Sequence, residues 1–168
     1  MKACALIAMS VLAMAGASAA PSSTDTEFVT KAAQAGMAEV AAGKVAESHG
    51  QSAAVKAFGK RMVADHSKAG DELKQVATKS GAKLPSSPST EQQEAGRRLE
   101  GMKGADFDRA YAEQMVKDHQ EAVALFQSEA SSGSDADLKS FAQKTLPTLQ
   151  EHLRMAQALP EGASAKAK

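Results

Sequence analysis

Between Val55 and Val76 the inward-type residues fall at steps of three and four: Val55, Phe58, Met62, His66, Ala69, Leu73 and Val76. Such steps keep side chains on one face of a helix, whereas a strand would need steps of two. The pattern recurs in three further stretches. Phe28, Ala32, Ala35, Glu39, Ala42 and Ala46 form one stripe. Tyr111, Met115, His119, Ala122 and Phe126 form another, and Leu138, Phe141, Thr145, Leu149, His152 and Met155 the last. Trp is absent and aromatic residues make up 4% of the chain, so the core must come from Ala, Leu, Val, Met and five Phe. Small side chains of that kind favour closely packed helices over sheets.

Punctuation residues set the boundaries. Thr24 and Glu27 fit a capping box that opens the first helix, which runs to about Ser48. His49-Gly50-Gln51 is a short turn, with His49 expected in solvent, so the second helix (about Ser52 to Ser80) returns antiparallel. Gly81, Pro85 and Pro88 stop it. A link of roughly 23 residues follows, long enough at up to ~3.3 Å per residue to retrace a helix. Within it, Ser89 and Gln92 can cap a short helix reaching Leu99. The next helix spans about Asp106 to Ala130, with Asp106 and Asp108 placed against its positive end. Ser131 to Ser134 is a second tight turn, and the last helix covers about Asp135 to Leu159 with a kink at Pro147. The expected fold is all-α: a ferritin-like four-helix bundle of two antiparallel hairpins, joined by a long crossover that contains a short helix.

The first residues belong to targeting. Lys2, the apolar run from Ala3 to Ala15 and Ala17-Ser18-Ala19 fit a secretory signal peptide cut after Ala19. The expected division is 1–19 signal peptide, 20–26 leader, 27–159 bundle and 160–168 flexible tail. Cys4 leaves with the signal, so neither disulfides nor thiolate metal sites remain. Losing Lys2 leaves 19 basic against 20 acidic residues, which argues against nucleic acid or an anionic membrane as partner. No later stretch is apolar enough for a transmembrane span. The protein is expected to be exported and periplasmic, with outer-membrane association as a variant of that placement.

Several motifs together resemble a bacterial family of exported proteins of unknown function, often labelled outer-membrane proteins, with a ferritin-like helical domain. They are Gly36-Met37-Ala38-Glu39-Val40, Met62-Val63-Ala64-Asp65-His66-Ser67 and Leu84-Pro85. They continue with Asp106-Phe107-Asp108, Tyr111, Met115-Val116-Lys117-Asp118-His119 and Leu146 to Leu153. The resemblance covers roughly Glu27 to Leu159. It implies the fold and export, and it implies no activity. The mature chain itself shows neither strand-type alternation nor a lipid-attachment cysteine.

The chemistry concentrates on the inward stripes. The pentapeptide Met-Val-x-Asp-His occurs twice, closing at His66 and at His119, in a chain with four histidines. Each helix carries one inward polar side chain near its middle: Glu39, His66, His119 and His152. A di-iron centre of the ferritin type needs Glu-x-x-His on two helices. Here Val63, Val116 and Leu149 stand three residues before the histidines, which excludes that centre. A mononuclear site remains: His66, His119 and His152, with Glu39 or Met115 completing the set around one transition metal ion such as copper, zinc or iron. Met62, Met115 and Met155 lie within a turn of these histidines, and thioether beside imidazole suits Cu(I). Counting from the turn near Gly50, Glu39 lies roughly six residues, or about 8 Å, nearer that turn than His66. On the same count His119 is level with about Thr148. Asp65 and Asp118 point about 100° away from their neighbouring histidines, toward surface pairing. The alternative is a non-metal structural or interaction module whose core histidines only fix packing, or else sense pH. No phosphate loop, nucleophile motif or other catalytic signature is present, so a non-enzymatic role, protective under stress, is expected.

Overall fold

The structure, a computed structural model, describes residues 21–164. The signal peptide, Cys4 and the end of the tail at 165–168 lie outside the described residues. Five helices follow in order: α1 (Ser23–His49), α2 (Ala53–Ser80), α3 (Thr90–Glu100), α4 (Gly104–Ser132) and α5 (Ala136–Ser164). Among the described residues there is no strand, only an isolated bridge between Gly50 and Gly104. No described helix is long and apolar enough to cross a membrane.

Helix α1 packs along α2 and α4 along α5, while α2 also meets α5 and α1 meets α4. Two buried carboxylates tie the hairpins together end to end. Asp108 of α4 accepts the backbone N–H of Gln51 and of Ser52, each at 2.8 Å, so it caps the start of α2 rather than its own helix. Asp25 of α1 accepts the N–H of Ser134 at 2.9 Å, fixing the α4–α5 turn against the start of α1. The α1–α2 turn therefore shares an end with the start of α4, and the α4–α5 turn shares the other. Helices α2 and α4 run in the same direction, α1 and α5 in the opposite one. The link through α3 carries the chain back between the ends.

The boundaries differ from the sequence reading where a carboxylate has a second task. The first capping box is Ser22 with Asp25, not Thr24 with Glu27, and α1 begins at Ser23 inside the expected leader. Asp25 serves that cap and the distant turn at once, and is fully buried. Asp106 stands in the first turn of α4 as expected, exposed and paired with Arg109, whereas Asp108 turns away to the α1–α2 turn. His49 is half-buried, its ring 5.9 Å from that of Phe107, rather than in solvent. Helix α5 continues through Pro147 and past Leu159 to Ser164. The expected short helix in the link is present, with the Ser89–Gln92 capping box.

Where α1 and α2 come closest, both carry glycine. A Cβ on Gly43 would stand 2.7 Å from the Gly59 carbonyl, and a Cβ on Gly59 2.7 Å from the Gly43 carbonyl. The interior splits into two apolar clusters. One, near the α1–α2 turn, holds Val55, Phe58, Met62, Phe107, Tyr111 and Met115. The other, near the α4–α5 turn, holds Phe28, Leu73, Phe126, Leu138, Phe141 and Leu149. The polar side chains of the stripes lie between them.

Candidate metal centre

His66, His119 and His152 converge at that boundary. One nitrogen from each ring lies within 4.8 Å of one from each of the others. The ring centroids are 5.6 Å apart for His66–His119, and 5.4 Å for both His66–His152 and His119–His152. The two copies of the pentapeptide explain part of this. They sit on α2 and α4, which run in the same direction, and His66 is 13 residues past Ala53 while His119 is 15 past Gly104. The third ring comes from α5, antiparallel to both. Side chains lean toward the N-terminus of their own helix. On antiparallel neighbours the lean runs in opposite directions, so His119 and His152 approach each other across a backbone offset of about a turn. The same lean brings Glu39 toward the triad despite the offset counted along the backbone.

Hydrogen bonds orient two of the rings. The Nδ1–H of His119 donates to the Met115 carbonyl at 2.8 Å. The Nε2–H of His152 donates to Asp65 Oδ2 at 2.9 Å. A ring whose one nitrogen donates outward keeps the lone pair of the other for a ligand. The nitrogens left without a partner are His119 Nε2, His152 Nδ1 and His66 Nε2. In tetrahedral zinc sites, bonds of about 2.0–2.1 Å set nitrogens roughly 3.4 Å apart. The 4.8 Å limit here leaves the rings a short distance to close.

The electrostatics favour neutral imidazoles. Burial, reinforced by the other two rings, lowers His66 to about 3. Burial lowers His119 to about 4 against the opposing bond to Met115. Burial also lowers His152, although Asp65 pulls the other way. All three rings are therefore uncharged at neutral pH, the form a metal requires.

The remaining expected residues stand behind this triad. Met115 meets His119 through its backbone carbonyl, and its side chain is in the apolar cluster. Glu39 Oε1 lies 3.8 Å from His119 Nδ1, the edge that already faces Met115. Burial, and next the charge of Asp118, push the Glu39 carboxyl well above its ordinary value. Burial thus favours the neutral form of Glu39 and of His119 alike, which works against an ion pair between them. Among the described His, Cys, Asp and Glu residues, the converging group is the three histidines, without Glu39.

The two aspartates of the repeat do different things. Asp65 holds His152 and accepts Arg61 Nε at 3.1 Å. Asp118 accepts Gln114 Nε2 at 2.7 Å and touches no histidine nitrogen. The role of Asp65 was not foreseen from its sequence position. It points off the stripe of α2, but the partner it reaches is on α5, and only the assembled bundle shows that.

An all-helical bundle with a buried three-histidine cluster is the class this geometry defines. The chain belongs to the family described as Domain of unknown function (DUF4142), whose sequence model matches residues 11–159. No curated protein and no solved structure matches the chain.

Proposed function

We propose that this protein binds one transition metal ion in its core through His66, His119 and His152. We further propose that it does so as an exported, periplasmic, ferritin-like bundle with a non-enzymatic protective role under stress. The observation that carries the metal reading is three imidazoles with a nitrogen from each within 4.8 Å of the others, each ring also keeping one buried nitrogen without a partner. Two of them have their lone pairs fixed by outward bonds to Asp65 and Met115. Three neutral imidazoles suit zinc, copper or iron. The fourth position falls to a ligand from outside or to a side chain that moves in, with Glu39 and Met115 the nearest candidates. The ferritin-like arrangement is supported by the two hairpins, the long link through α3 and the pairing of helix ends through Asp25 and Asp108. Export rests on the sequence of residues 1–19.

The test is titration of the mature, untagged chain with zinc and with Cu(I), alongside His119→Ala. The expected result is one tight equivalent in the parent, lost in His119→Ala with the helical signal retained. Unchanged stoichiometric binding in the variant would defeat the metal reading. A structural role has its own support, because Asp65 and the Met115 carbonyl lock two rings without any ion. That role predicts an identical melting temperature with and without chelator for protein isolated from its own periplasm.

A further inference from the structure

On the side toward the α1–α2 turn, Phe58 closes the triad, its ring centroid 6.4 Å from both His119 and His152. On the opposite side a pocket opens to the surface, with Ser67, Gly70 and Asp71 at its exposed rim. A cavity of about 410 Å³ lies between α1, α2, α4 and α5, with His66, His152 and Asp65 among its walls. Most of the remaining wall is small or apolar, including Ala32, Gly36, Ala69, Leu73, Phe126 and Phe141. The volume falls in the range of about 300–1,000 Å³ that small-molecule sites occupy.

Two glycines leave part of this space unfilled, Gly36 half-buried in the wall and Gly70 at the exposed rim. Gly36 of α1 and Gly70 of α2 both line the cavity, and a Cβ on either would meet nothing within 4 Å. Neither has a positive φ. Close helix approach explains Gly43 and Gly59, but it does not explain this pair. Glycine inside a helix costs stability relative to alanine, and at half-buried Gly36 that cost comes with an open pocket wall.

We propose that the cavity binds a small, mainly apolar molecule with one neutral lone-pair head, which it presents to the histidine triad. The apolar wall sets the body of the ligand. No Lys or Arg lines the pocket, Asp65 is already engaged by Arg61 and His152, and Asp71 stands at the exposed rim, so the inner end offers an ionic head no free partner and suits a neutral one of the azole type. The head meets His66, whose Nε2 is buried without a partner, or takes the open position of an ion held there. The proposal rests on the metal reading only for that last contact.

4-Phenylimidazole is a suitable probe, titrated by calorimetry into zinc-treated and metal-free full chain, with the zinc titration read separately. One equivalent should bind the parent. Gly36→Leu should bind it at least about tenfold more weakly, with zinc uptake unchanged and the helical signal intact. Gly70→Leu serves as a second cavity-filling variant should Gly36→Leu fail to fold. Probe uptake that both fillings weaken supports the cavity even where zinc does not bind, which would defeat the metal reading alone. No saturable binding at millimolar probe, or equal binding by the parent and a folded filled variant, overturns the proposal.

Discussion

Glu129 offers a quantitative test of the way the bundle ends are held. It is 1% exposed and lies beside Asp25, where α1 begins and α4 turns into α5. A Cβ on Gly133 would collide with its carboxyl group, so glycine there makes room for it. Asp25 stays ionised: bonds from Ser22 and from the N–H of Ser134 and Asp135 outweigh its burial and hold it below its ordinary value. Burial, and then the Asp25 charge, push Glu129 up to about 7 from the usual 4.5. A change of that size links roughly 3 kcal/mol of stability to one proton. The folded state holds the proton more tightly than the unfolded chain. The contribution is therefore complete below about pH 4.5 and is lost as the pH rises through about 7. Glu129→Gln copies the protonated form, because its amide can donate to Asp25 and never ionises. It should match the parent near pH 4.5 and exceed it near pH 8 by roughly 3 kcal/mol, or about 6–12 °C in Tm at ~2–4 °C per kcal/mol. Urea and thermal unfolding followed by circular dichroism at a series of pH values measure this difference. A difference that stays constant from about pH 4.5 to 8 would show that Glu129 does not titrate in the folded protein, and would refute the reasoning.

Four further expectations concern the triad and the helix contact. Asp65→Ala removes the 2.9 Å bond to His152 and should weaken metal binding about 10–100-fold, whereas Asp118→Ala should change it little; competition with a chelator measures both, and equal effects would remove Asp65 from its supporting role. With His66 lowered to about 3, His119 to about 4 and His152 also lowered, zinc affinity should weaken at a lower pH than at an exposed histidine site, which starts to weaken near 6.5; titration of zinc at a series of pH values measures this. The same shifts make the metal-free protein lose stability as the pH falls from about 6.5 toward 4, since the unfolded chain takes up protons that the buried rings refuse; acid unfolding of the chelated protein checks the sign. Gly43→Ala puts a Cβ 2.7 Å from the Gly59 carbonyl and should cost about 1–3 kcal/mol by forcing α1 from α2, while Gly36→Ala should be neutral or stabilising in the same urea series.

The stripes were legible because burial and helical period leave the same mark on a sequence. Phe28, Phe58, Met62, Tyr111, Met115, Phe126, Leu138 and Leu149 are all buried as their spacing requires. Local caps read well where they serve one helix, as Ser89 with Gln92 does. They misled where a carboxylate works across the fold. Nothing in the string around Asp25 signals a bond to Ser134, 109 residues away. The three histidines were legible as inward residues and as a candidate ligand set, but their level along the bundle was not. Counting along backbones treats each side chain as level with its Cα, whereas antiparallel helices lean their side chains toward one another. How the two hairpins align end to end depends on Asp108 and Asp25, and hence on contacts that no local pattern encodes.

The cluster is a poor way to stabilise a core. Each ring is driven to its neutral form by burial, and each keeps a nitrogen without a partner, at a typical cost of about 1–3 kcal/mol per buried polar atom. Apolar residues of similar size would avoid that cost. The outward bonds narrow what the inner space can accept. With His119 donating to Met115 and His152 donating to Asp65, two inward nitrogens are acceptors by construction. Only His66 can still choose its tautomer. A buried water could donate to those two and accept from a protonated His66 Nε2, which would satisfy all three rings. A metal instead requires His66 Nε2 to carry a lone pair, moving its proton to Nδ1. Nitrogen NMR of His66 therefore separates an architectural cluster from a metal centre: a protonated Nε2 that persists on adding zinc and Cu(I) belongs to the former, and transfer of the proton to Nδ1 on adding one equivalent belongs to the latter.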